Sequence, residues 1–434
     1  MKPHRFLMTV LALAWLAAGG ATLRAAALQP LVDAAAPGAT LELPAGRYDG
    51  PVVIEKPLTL RGAAGAEIVG NGNGNVVTIR GDHVTLEGFR IAGSGLDLGQ
   101  DNAGVFVEGH HATIKGNRIE ESLHGVYIKK ANHCRVEANL IRGKERVGAA
   151  SATSDLAFGP DGSENCDLTL GQNQRGNGIH IWNAEGAVMI DNEIRNARDG
   201  FYFSFANDSK VLRNHAANVR FGLHYMYSDR NVFENNHFEQ NTAGAVLMYS
   251  KGLLIRRNLF ADNVGHRSYG MVMIAVDNSR LEGNRFTGNS IGLFLELSNT
   301  NTLVGNSVVR GYIGVRLTGS SDSNRFSNNL FAGNLHPVEV DGSVGKNEWA
   351  IGGIGNHWAG GAVDLDGDGV GDLPHRETDL LGPLRRSFPM VALFSGSPAL
   401  NLVRFAQQSA PMPKVPTIID PAPLVHPPEG TSFR

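Results

Sequence analysis

Glycine recurs at a nearly constant spacing along this 434-residue chain, and that spacing constrains the fold more than any other feature. From residue 178 onward the recurring glycines are mostly 22 residues apart, and each opens a short apolar segment. A short constant period is typical of solenoids, whose units cannot bury a hydrophobic face alone. Coils of this length hold three short strands and three bends, so we predict an all-β fold, a right-handed parallel β-helix. The marker glycines are Gly104, Gly125, Gly178, Gly200, Gly222, Gly244, Gly270, Gly292 and Gly314.

An asparagine follows each marker glycine by 13 to 15 residues. Asparagine tolerates the left-handed backbone that tight bends need, and stacked asparagine side chains can hydrogen-bond from coil to coil. We therefore predict a structural role for this series rather than a functional one. Its members are Asn117, Asn139, Asn192, Asn214, Asn236, Asn258, Asn284, Asn306 and Asn329.

The N-terminal residues 1–27 resemble a secretory signal peptide. Lys2 and Arg5 precede an uncharged stretch, and three alanines before Leu28 offer a small-residue cleavage site. A retained membrane anchor is the alternative, although a membrane span needs about 20 apolar residues. We therefore expect an exported, soluble protein with the periplasm as its compartment. The net charge of −3 and the lack of a long basic run argue against nucleic-acid binding.

The β-helix is predicted to cover residues 28–342, with one insertion near residues 143–176. Gly125 and Gly178 are 53 residues apart where 22 are expected, and long excursions from a regular scaffold are either functional loops or disordered. The only two cysteines, Cys134 and Cys166, lie around this stretch. In an oxidising compartment they can form a disulfide. Two buried free thiols, or a cysteine metal ligand, are the alternatives.

Alternate residues of a strand point to opposite sides. The first and third residues after each marker glycine are apolar, so we predict that they form the interior. The second and fourth residues then point outward, and this series includes two methionines, two histidines and two large aromatic residues. Exposed apolar patches of this kind usually mark an interaction site. Alternatively, the insertion or the C-terminal tail covers them as a second small core.

Thioether and imidazole groups in this outward series suit Cu(I), whereas hard ions prefer carboxylate oxygens. His224 and Met226 leave the same strand on the same side, and Met248 lies one coil further along. We predict that these three side chains converge on transiently bound copper. His180 lies two coils before His224 and better fits an entry route or a neighbouring site.

An acidic loop follows the repeat, which we expect to stop after residue 342. Carboxylates occupy positions 1, 3, 5 and 9 of a calcium-type loop and glycine occupies position 6, whereas His375 replaces the usual glutamate at position 12. Glu377, Asp379 or water would have to complete the shell. We predict a structural calcium ion within a C-terminal cap over residues 343–394, with a solvated acidic turn as the alternative. The predicted ligands are Asp364, Asp366, Asp368, Val370 and Asp372.

The last segment, residues 395–434, is rich in proline. Such a segment is expected to be extended rather than packed. It serves either as a linker or as an arm that binds a partner.

Several segments, taken in order, resemble the NosD family. They are the 22-residue array, the repeat segments 177–182, 199–204 and 222–227, the element 356–372 and the tail 418–424. Members of this family are periplasmic copper-processing proteins that assist maturation of nitrous oxide reductase. The resemblance implies a non-enzymatic, metallochaperone-like accessory that acts with the permease and ATPase of an ABC transporter. It also implies apo nitrous oxide reductase as the client and a copper donor protein as a further partner.

A polysaccharide-active β-helix enzyme, such as a lyase, epimerase or hydrolase, is the competing hypothesis. Such enzymes need clustered carboxylates, or a base with an Arg or Lys, on an exposed groove. Asp199, Asp208 and Asp229 are the nearest candidates, but the sequence gives them no facing partner. A passive adhesion or docking scaffold is a third hypothesis.

Overall fold

The structure, a computed structural model, describes residues 26–145, 170–318, 320–341, 346–378, 388, 390, 397–409 and 417–431. The chain divides into two compact units, Met1–Arg220 (unit 1) and Phe221–Arg434 (unit 2). Both are built of right-handed coils whose strands form three parallel sheets, which confirms the predicted parallel β-helix. We name the sheets by their place in the coil: sheet 1 contains or follows the marker glycine, sheet 2 comes next, and sheet 3 follows the repeated asparagine.

The strands of unit 1 fall into the three sheets as follows. Sheet 1 contains Val52–Ile54, Val77–Ile79, Ala103–Val107, His124–Lys129, Ile179–Glu185 and Asp199–Asn207. Sheet 2 contains Thr40–Leu43, Thr59–Gly62, Thr85–Glu87, Thr113–Lys115, Arg135–Glu137, Val188–Ile190 and Lys210–Leu212. Sheet 3 contains Ala26–Ala27, Gly46–Asp49, Ala66–Val69, Arg90–Ala92, Arg118–Ser122, Leu140–Gly143, Glu193–Arg195 and His215–Ala217.

The strands of unit 2 repeat the same order. Sheet 1 contains Phe221–Met226, Ala243–Lys251, Tyr269–Asp277, Ile291–Glu296, Ile313–Thr318 and His336–Asp341. Sheet 2 contains Val232–Glu234, Leu254–Arg256, Arg280–Glu282, Thr302–Val304 and Arg325–Ser327. Sheet 3 contains His237–Glu239, Leu259–Ala261, Arg285–Thr287, Ser307–Val309, Leu330–Ala332 and His357–Trp358.

Helix is scarce among the described residues. It consists of an α-helix over Leu28–Ala34, a 3₁₀ turn over Gln172–Gln174 and an α-helix over Pro398–Ser409. No described helix has the length and hydrophobicity needed to cross a bilayer.

The interior is formed by the residues that strand alternation places there. The first and third residues after the marker glycines from Gly178 to Gly314 are all at most 2% exposed, as predicted. The marker glycines themselves sit where strands pack closely. A Cβ at Gly244 would lie 2.5 Å from the carbonyl oxygen of Gly270 and 2.7 Å from Cδ1 of Phe260, because the sheet 3 phenylalanine fills the interior beneath the strand. A larger residue would therefore overpack the coil.

The repeated asparagines form the predicted hydrogen-bonded ladder. In unit 2 the backbone and side-chain N–H groups of Asn258 donate to Oδ1 of Asn284 at 3.0 Å, and Asn284 donates to Asn306 in the same way. The left-handed conformation, however, belongs to the residue before each ladder asparagine, such as Arg257 or Gly283, rather than to the asparagine itself. The expectation that the ladder residues adopt this conformation is therefore wrong. Each asparagine stands one position after the left-handed residue and stabilises the bend through its side-chain hydrogen bonds.

The first coil begins two residues earlier than predicted. Ala26–Ala27 pairs with Tyr48 and Asp49 in sheet 3, so these alanines belong to the coil, and residues 1–25 of the predicted signal lie outside the described residues. The helix that follows, Leu28–Ala34, covers the free edge of the first strand of sheet 1, Val52–Ile54. Oε1 of Gln29 accepts the Val53 N–H at 2.7 Å, and Nε2 donates to the Val53 carbonyl at 3.0 Å. A covered strand edge is protected from pairing with another chain.

The predicted end of the repeat at residue 342 is wrong, because one more coil follows. Asn347 accepts the Asn324 N–H at 2.9 Å and so extends a second ladder, and His357–Trp358 adds a strand to sheet 3. Asp420 then closes the main ladder. Its Oδ2 accepts the Asn356 N–H at 2.7 Å and Trp358 Nε1–H at 2.9 Å, and the carboxylate is fully buried.

The described part of the C-terminal segment contains a helix and a strand. Pro398–Ser409 is helical, so the expectation of an extended chain over residues 395–434 is wrong there. Proline is tolerated in the first turn of a helix, and residues 399–409 contain none. Further on, Thr417–Asp420 pairs antiparallel with His375–Thr378.

The insertion is described only at its edges. Gly143 ends the strand Leu140–Gly143, Leu170 is buried, and residues 146–169 lie outside the described residues. Cys134 is fully buried, and that burial raises the pKa of its thiol to about 11. Cys166 lies outside the described residues, so its pairing with Cys134 stays a prediction.

Candidate metal site

Two neighbouring strands of sheet 1 in unit 2 position the predicted copper ligands. Strands Phe221–Met226 and Ala243–Lys251 are parallel and in register, with Met226 beside Met248 and His224 beside Val246. Adjacent strands are about 4.8 Å apart. The two thioethers therefore leave neighbouring strands at the same level, and His224 is two residues away on the same face. The structure thus brings these three side chains to one surface.

This surface is half-buried and largely apolar. His224, Met226 and Met248 have intermediate exposure, in contrast to the residues that precede each of them, Leu223, Tyr225 and Leu247, which are buried. Met248 packs against an outward cluster centred on the buried residues Ala243, Val246 and Val272. The edge of His224 meets Phe221, with ring centroids 5.2 Å apart. The three polarisable groups therefore lie outside the core, beside a largely apolar cluster.

Two tyrosines next to the methionines were missed by the sequence analysis. Tyr227 and Tyr249 stack with ring centroids 5.0 Å apart and are 47% and 49% exposed. Both adopt left-handed backbone conformations, with φ of 51° and 50°. Such φ values are rare for bulky residues. The equivalent residues of other coils, such as Ala275 and Leu297, share them, so the conformation belongs to the turn of the coil. Their 22-residue spacing was the available signal, but the alternation rule does not cover a residue with a left-handed backbone.

His180 lies in unit 1, within an aromatic cluster. Its ring is 4.1 Å from that of Tyr127 and 4.4 Å from that of Tyr202, measured between centroids. Nδ1 lies 3.2 Å from the side-chain amide of Asn177. His180 is half-buried on the outward face of its strand, as predicted. It therefore belongs to an aromatic cluster of unit 1, whereas His224, Met226 and Met248 belong to unit 2.

His124 is a second histidine of this cluster that the sequence analysis missed. It is 4% exposed, and its Nδ1 accepts the Asn177 N–H at 3.0 Å. Burial lowers its pKa to about 4, so the neutral imidazole carries its proton on Nε2 at neutral pH. A protonated Nε2 cannot ligate a metal, and we assign His124 to the scaffold.

Two of the three carboxylates considered for an enzyme, Asp199 and Asp229, are engaged in the scaffold. Asp199 is fully buried and accepts two hydrogen bonds from the Arg220 guanidinium, at 2.6 and 2.8 Å. Asp229 Oδ1 accepts the Lys251 N–H at 2.9 Å. These groups orient turns rather than face an open groove.

The acidic loop gathers three carboxylates near the C-terminal tail. Ligand oxygens of Asp364, Asp366 and Asp368 lie within 4.8 Å of one another. Asp364 accepts the N–H groups of Gly367 at 2.6 Å and Gly369 at 3.0 Å, and these hydrogen bonds lower its pKa.

The other predicted members of the loop are placed less uniformly. Asp372 Oδ2 accepts the Leu365 N–H at 2.6 Å, whereas Val370 forms a bridge with Leu424 of the tail. His375, at position 12, stacks on Trp358 with ring centroids 4.4 Å apart. Of the acids that would complete the shell, Glu377 lies 3.5 Å from the imidazole of His375, and Asp379 lies outside the described residues.

Solved structures with the same fold include carbohydrate-active enzymes. The A-module of the mannuronan C-5 epimerase from Azotobacter vinelandii aligns with a TM-score of 0.56 and 14% identity, over 76% of this chain and 97% of that one. DFA-IIIase from Arthrobacter chlorophenolicus aligns with a TM-score of 0.50 and 14% identity, over 67% and 84%. At such low identity the likeness shows the fold alone.

Sequence relatives are more specific. Residues 63–260 match the family described as right handed beta helix region, and residues 162–361 match NosD, described as a periplasmic copper-binding protein. A protein of Pseudomonas aeruginosa named probable ABC transporter binding protein NosD is 36% identical over 433 residues, 96% of this chain and 95% of the relative. The protein of the same name from Stutzerimonas stutzeri is 34% identical, over 88% and 86%. The chain therefore belongs to the NosD family.

Proposed function

We propose that this protein handles Cu(I) in the periplasm during assembly of the copper centre of nitrous oxide reductase. The family description supports copper and the periplasm. The observation that carries the proposal is the side-by-side placement of Met226 and Met248 on the outward face, with His224 two residues from Met226. Thioether and imidazole ligands favour Cu(I) over hard ions. A half-buried surface site of this kind can receive and release an ion, as transient handling requires.

The structure offers a matched control for a copper-binding test. Met271 and Met273 lie on the next strand of sheet 1, but they point inward and are at most 1% exposed. Replacing Met by Leu conserves volume and removes only the sulfur. The Met226→Leu, Met248→Leu variant therefore removes two outward thioethers, and Met271→Leu, Met273→Leu removes two interior ones.

The test is an anaerobic titration with Cu(I) against a chromophoric Cu(I) chelator. We expect the outward variant to bind Cu(I) at least about tenfold more weakly, since even changes outside the ligand shell of a metal site commonly cost 10- to 100-fold in affinity. Adding His224→Ala should weaken binding further, and the interior variant should match wild type. Equal losses in the two methionine variants, or no loss in either, would refute the site.

We propose an ABC transporter as the membrane partner, with its permease and ATPase, because the relatives' names link them to such a transporter. Apo nitrous oxide reductase is then the client, and a copper donor protein supplies the ion. The test is co-purification of the tagged protein with permease and ATPase from cells that express all three. Failure of the permease to copurify from mild detergent would count against the transporter partner.

We propose a structural calcium ion at the acidic loop. Asp364, Asp366 and Asp368 would hold it, with Asp372 and the Val370 carbonyl as further ligands in the predicted pattern. The loop contacts the tail: the Gly371 N–H donates to the Pro423 carbonyl at 2.7 Å, and the Val425 N–H donates to that of Gly369 at 3.1 Å. A bound ion would therefore stabilise the docked tail.

Calcium should raise the thermal midpoint of the wild-type protein relative to the same protein in EDTA. A ligand that binds only the folded state contributes about 2.7 kcal/mol at 100 times its dissociation constant. The Asp364→Asn, Asp366→Asn variant should lose this difference while keeping its midpoint in EDTA. A variant that still responds to calcium would exclude the loop as the site.

A further inference from the structure

Three exposed histidines form a stacked column in unit 1. His83, His111 and His133 each lie two residues before a sheet 2 strand, in consecutive coils. The ring centroids of His83 and His111 are 4.7 Å apart with an interplanar angle of 2°, and those of His111 and His133 are 5.3 Å apart at 16°. The imidazoles therefore stand in a line along the surface of the coils. We call them the histidine column.

The backbone of this turn explains why histidine is tolerated but not why it recurs. All three residues have φ of 56° or 57°, in the left-handed region where Asn, Asp and His are enriched. Other residues at this position include Gly38, Gly186 and Asp208 in unit 1, and Arg230, Gly252, Asn278, Thr300 and Ser323 in unit 2. Because the turn accepts many side chains, its backbone conformation alone does not explain why histidine occurs in three successive coils.

The ring nitrogens of the column are open to a ligand. Within the described part of the chain, no hydrogen bond engages a ring nitrogen of His83, His111 or His133. The neighbouring His110 differs, because its Nδ1 accepts the Asn132 N–H at 3.1 Å and is thereby committed to the scaffold. At the end of the column, Gly186 accommodates the imidazole of His133, since a Cβ on Gly186 would clash with Nδ1 of that ring.

We propose that the histidine column binds one divalent transition-metal ion through a pair of neighbouring imidazoles. Metal–nitrogen distances near 2.0–2.1 Å place two ligand nitrogens about 3 Å apart. Rings 4.7 Å apart reach that separation by leaning together, which exposed side chains can do by rotation about χ1 and χ2. Because the three rings form a line, His111 is shared by both pairings, and the column holds one ion.

The ligand set distinguishes this site from the proposed Cu(I) surface. An all-imidazole site suits Zn(II), Ni(II) and Cu(II), and Cu(II) binds most tightly in this series. The column contains no sulfur, and it lies in unit 1, whereas His224, Met226 and Met248 lie in unit 2. The inference therefore stands independently of the proposed Cu(I) handling.

The test is a Cu(II) titration of the full chain in air, followed by competition with a chelator and by electron paramagnetic resonance. His111→Ala should weaken binding at least about tenfold, by the same scale of metal-site effects. His83→Ala or His133→Ala leaves one of two pairs and should weaken binding only about twofold if the pairs are equivalent. The double variant with both end histidines replaced should match His111→Ala. The wild-type spectrum should show coupling to two nitrogens.

His266→Ala is the matched control, because His266 is also exposed but lies outside the column. Circular dichroism checks that each variant retains the β-helix. Unchanged affinity in His111→Ala, or an equal loss in His266→Ala, would overturn the proposal. The Met226→Leu, Met248→Leu variant should retain Cu(II) binding at the column, so failure of one site can be told from failure of the other.

Discussion

Replacing Asp420 by Ala should destabilise the last coil of unit 2. Oδ2 of Asp420 accepts hydrogen bonds from the Asn356 N–H and from Trp358 Nε1–H, and Oδ1 accepts the Ala422 N–H at 3.1 Å. Asn356 and Asp420 are fully buried, and Trp358 is 2% exposed. Water therefore cannot readily replace the lost carboxylate.

The expected loss in the free energy of unfolding is about 3 kcal/mol. The substitution leaves the Asn356 N–H and Trp358 Nε1–H without acceptors, and each buried unsatisfied donor costs about 1–3 kcal/mol. The side-chain amide of Asn356 adds little to the loss, because it also donates to the Trp349 carbonyl at 2.8 Å. Asp420→Asn should cost only about 1 kcal/mol. Its carbonyl can retain the two critical donors, whereas its NH₂ faces the Ala422 N–H.

The assay is urea unfolding at pH 7, followed by tryptophan fluorescence. The control is Ile419→Ala, because Ile419 precedes Asp420 and is 43% exposed, so its loss should be within about 0.5 kcal/mol. Hydrogen exchange at Asn356 and Trp358 would locate the effect in the last coil. A loss below about 0.5 kcal/mol in Asp420→Ala would refute the reasoning, as would an Asn variant that is equally destabilised.

Two further predictions concern buried polar groups. Asn258→Ala should lower the free energy of unfolding by about 2–4 kcal/mol. The substitution removes the acceptor of the Asn236 N–H at 2.9 Å and the two hydrogen bonds that the Asn258 side-chain amide donates. A loss under about 0.5 kcal/mol in urea unfolding would contradict the ladder's role. Burial lowers the pKa of His124 from 6.5 to about 4, so its contribution is complete above pH 6.5 and is lost as the pH falls towards 4. Between pH 7 and pH 5 this amounts to about 2 kcal/mol, measured as the difference between wild type and His124→Asn in urea unfolding at each pH; equal pH dependence in both proteins would contradict it.

The sequence was sufficient to predict the β-helix and the direction of its side chains. Gly244 belongs to the glycine series that marks close packing, and Asn258 belongs to the asparagine series that marks the bends. The period of these two series was sufficient to predict the fold. Strand alternation then placed Met226 outward and Met271 inward, which the burial of these residues bears out. These features could be predicted because each depends on local spacing alone.

Other features depended on contacts or conformations that spacing does not contain. Asp420 meets Asn356 across 64 residues, and no repeat connects them. Tyr227 and His111 stand in left-handed turns at the ends of strands, where alternation assigns no direction. The helix that begins at Pro398 was not predicted, because the high proline content of the whole segment hid the proline-free stretch 399–409.

The asparagine ladder of unit 2 has a direction, and this dictates how it can stop. Each ladder asparagine donates to Oδ1 of the asparagine in the coil that follows. Every added asparagine therefore needs a further acceptor in the next coil. Aspartate has nearly the shape of asparagine but its side chain carries no N–H donor. Asp420 therefore ends the ladder: it accepts a hydrogen bond from Asn356, and its side chain needs no acceptor in a further coil.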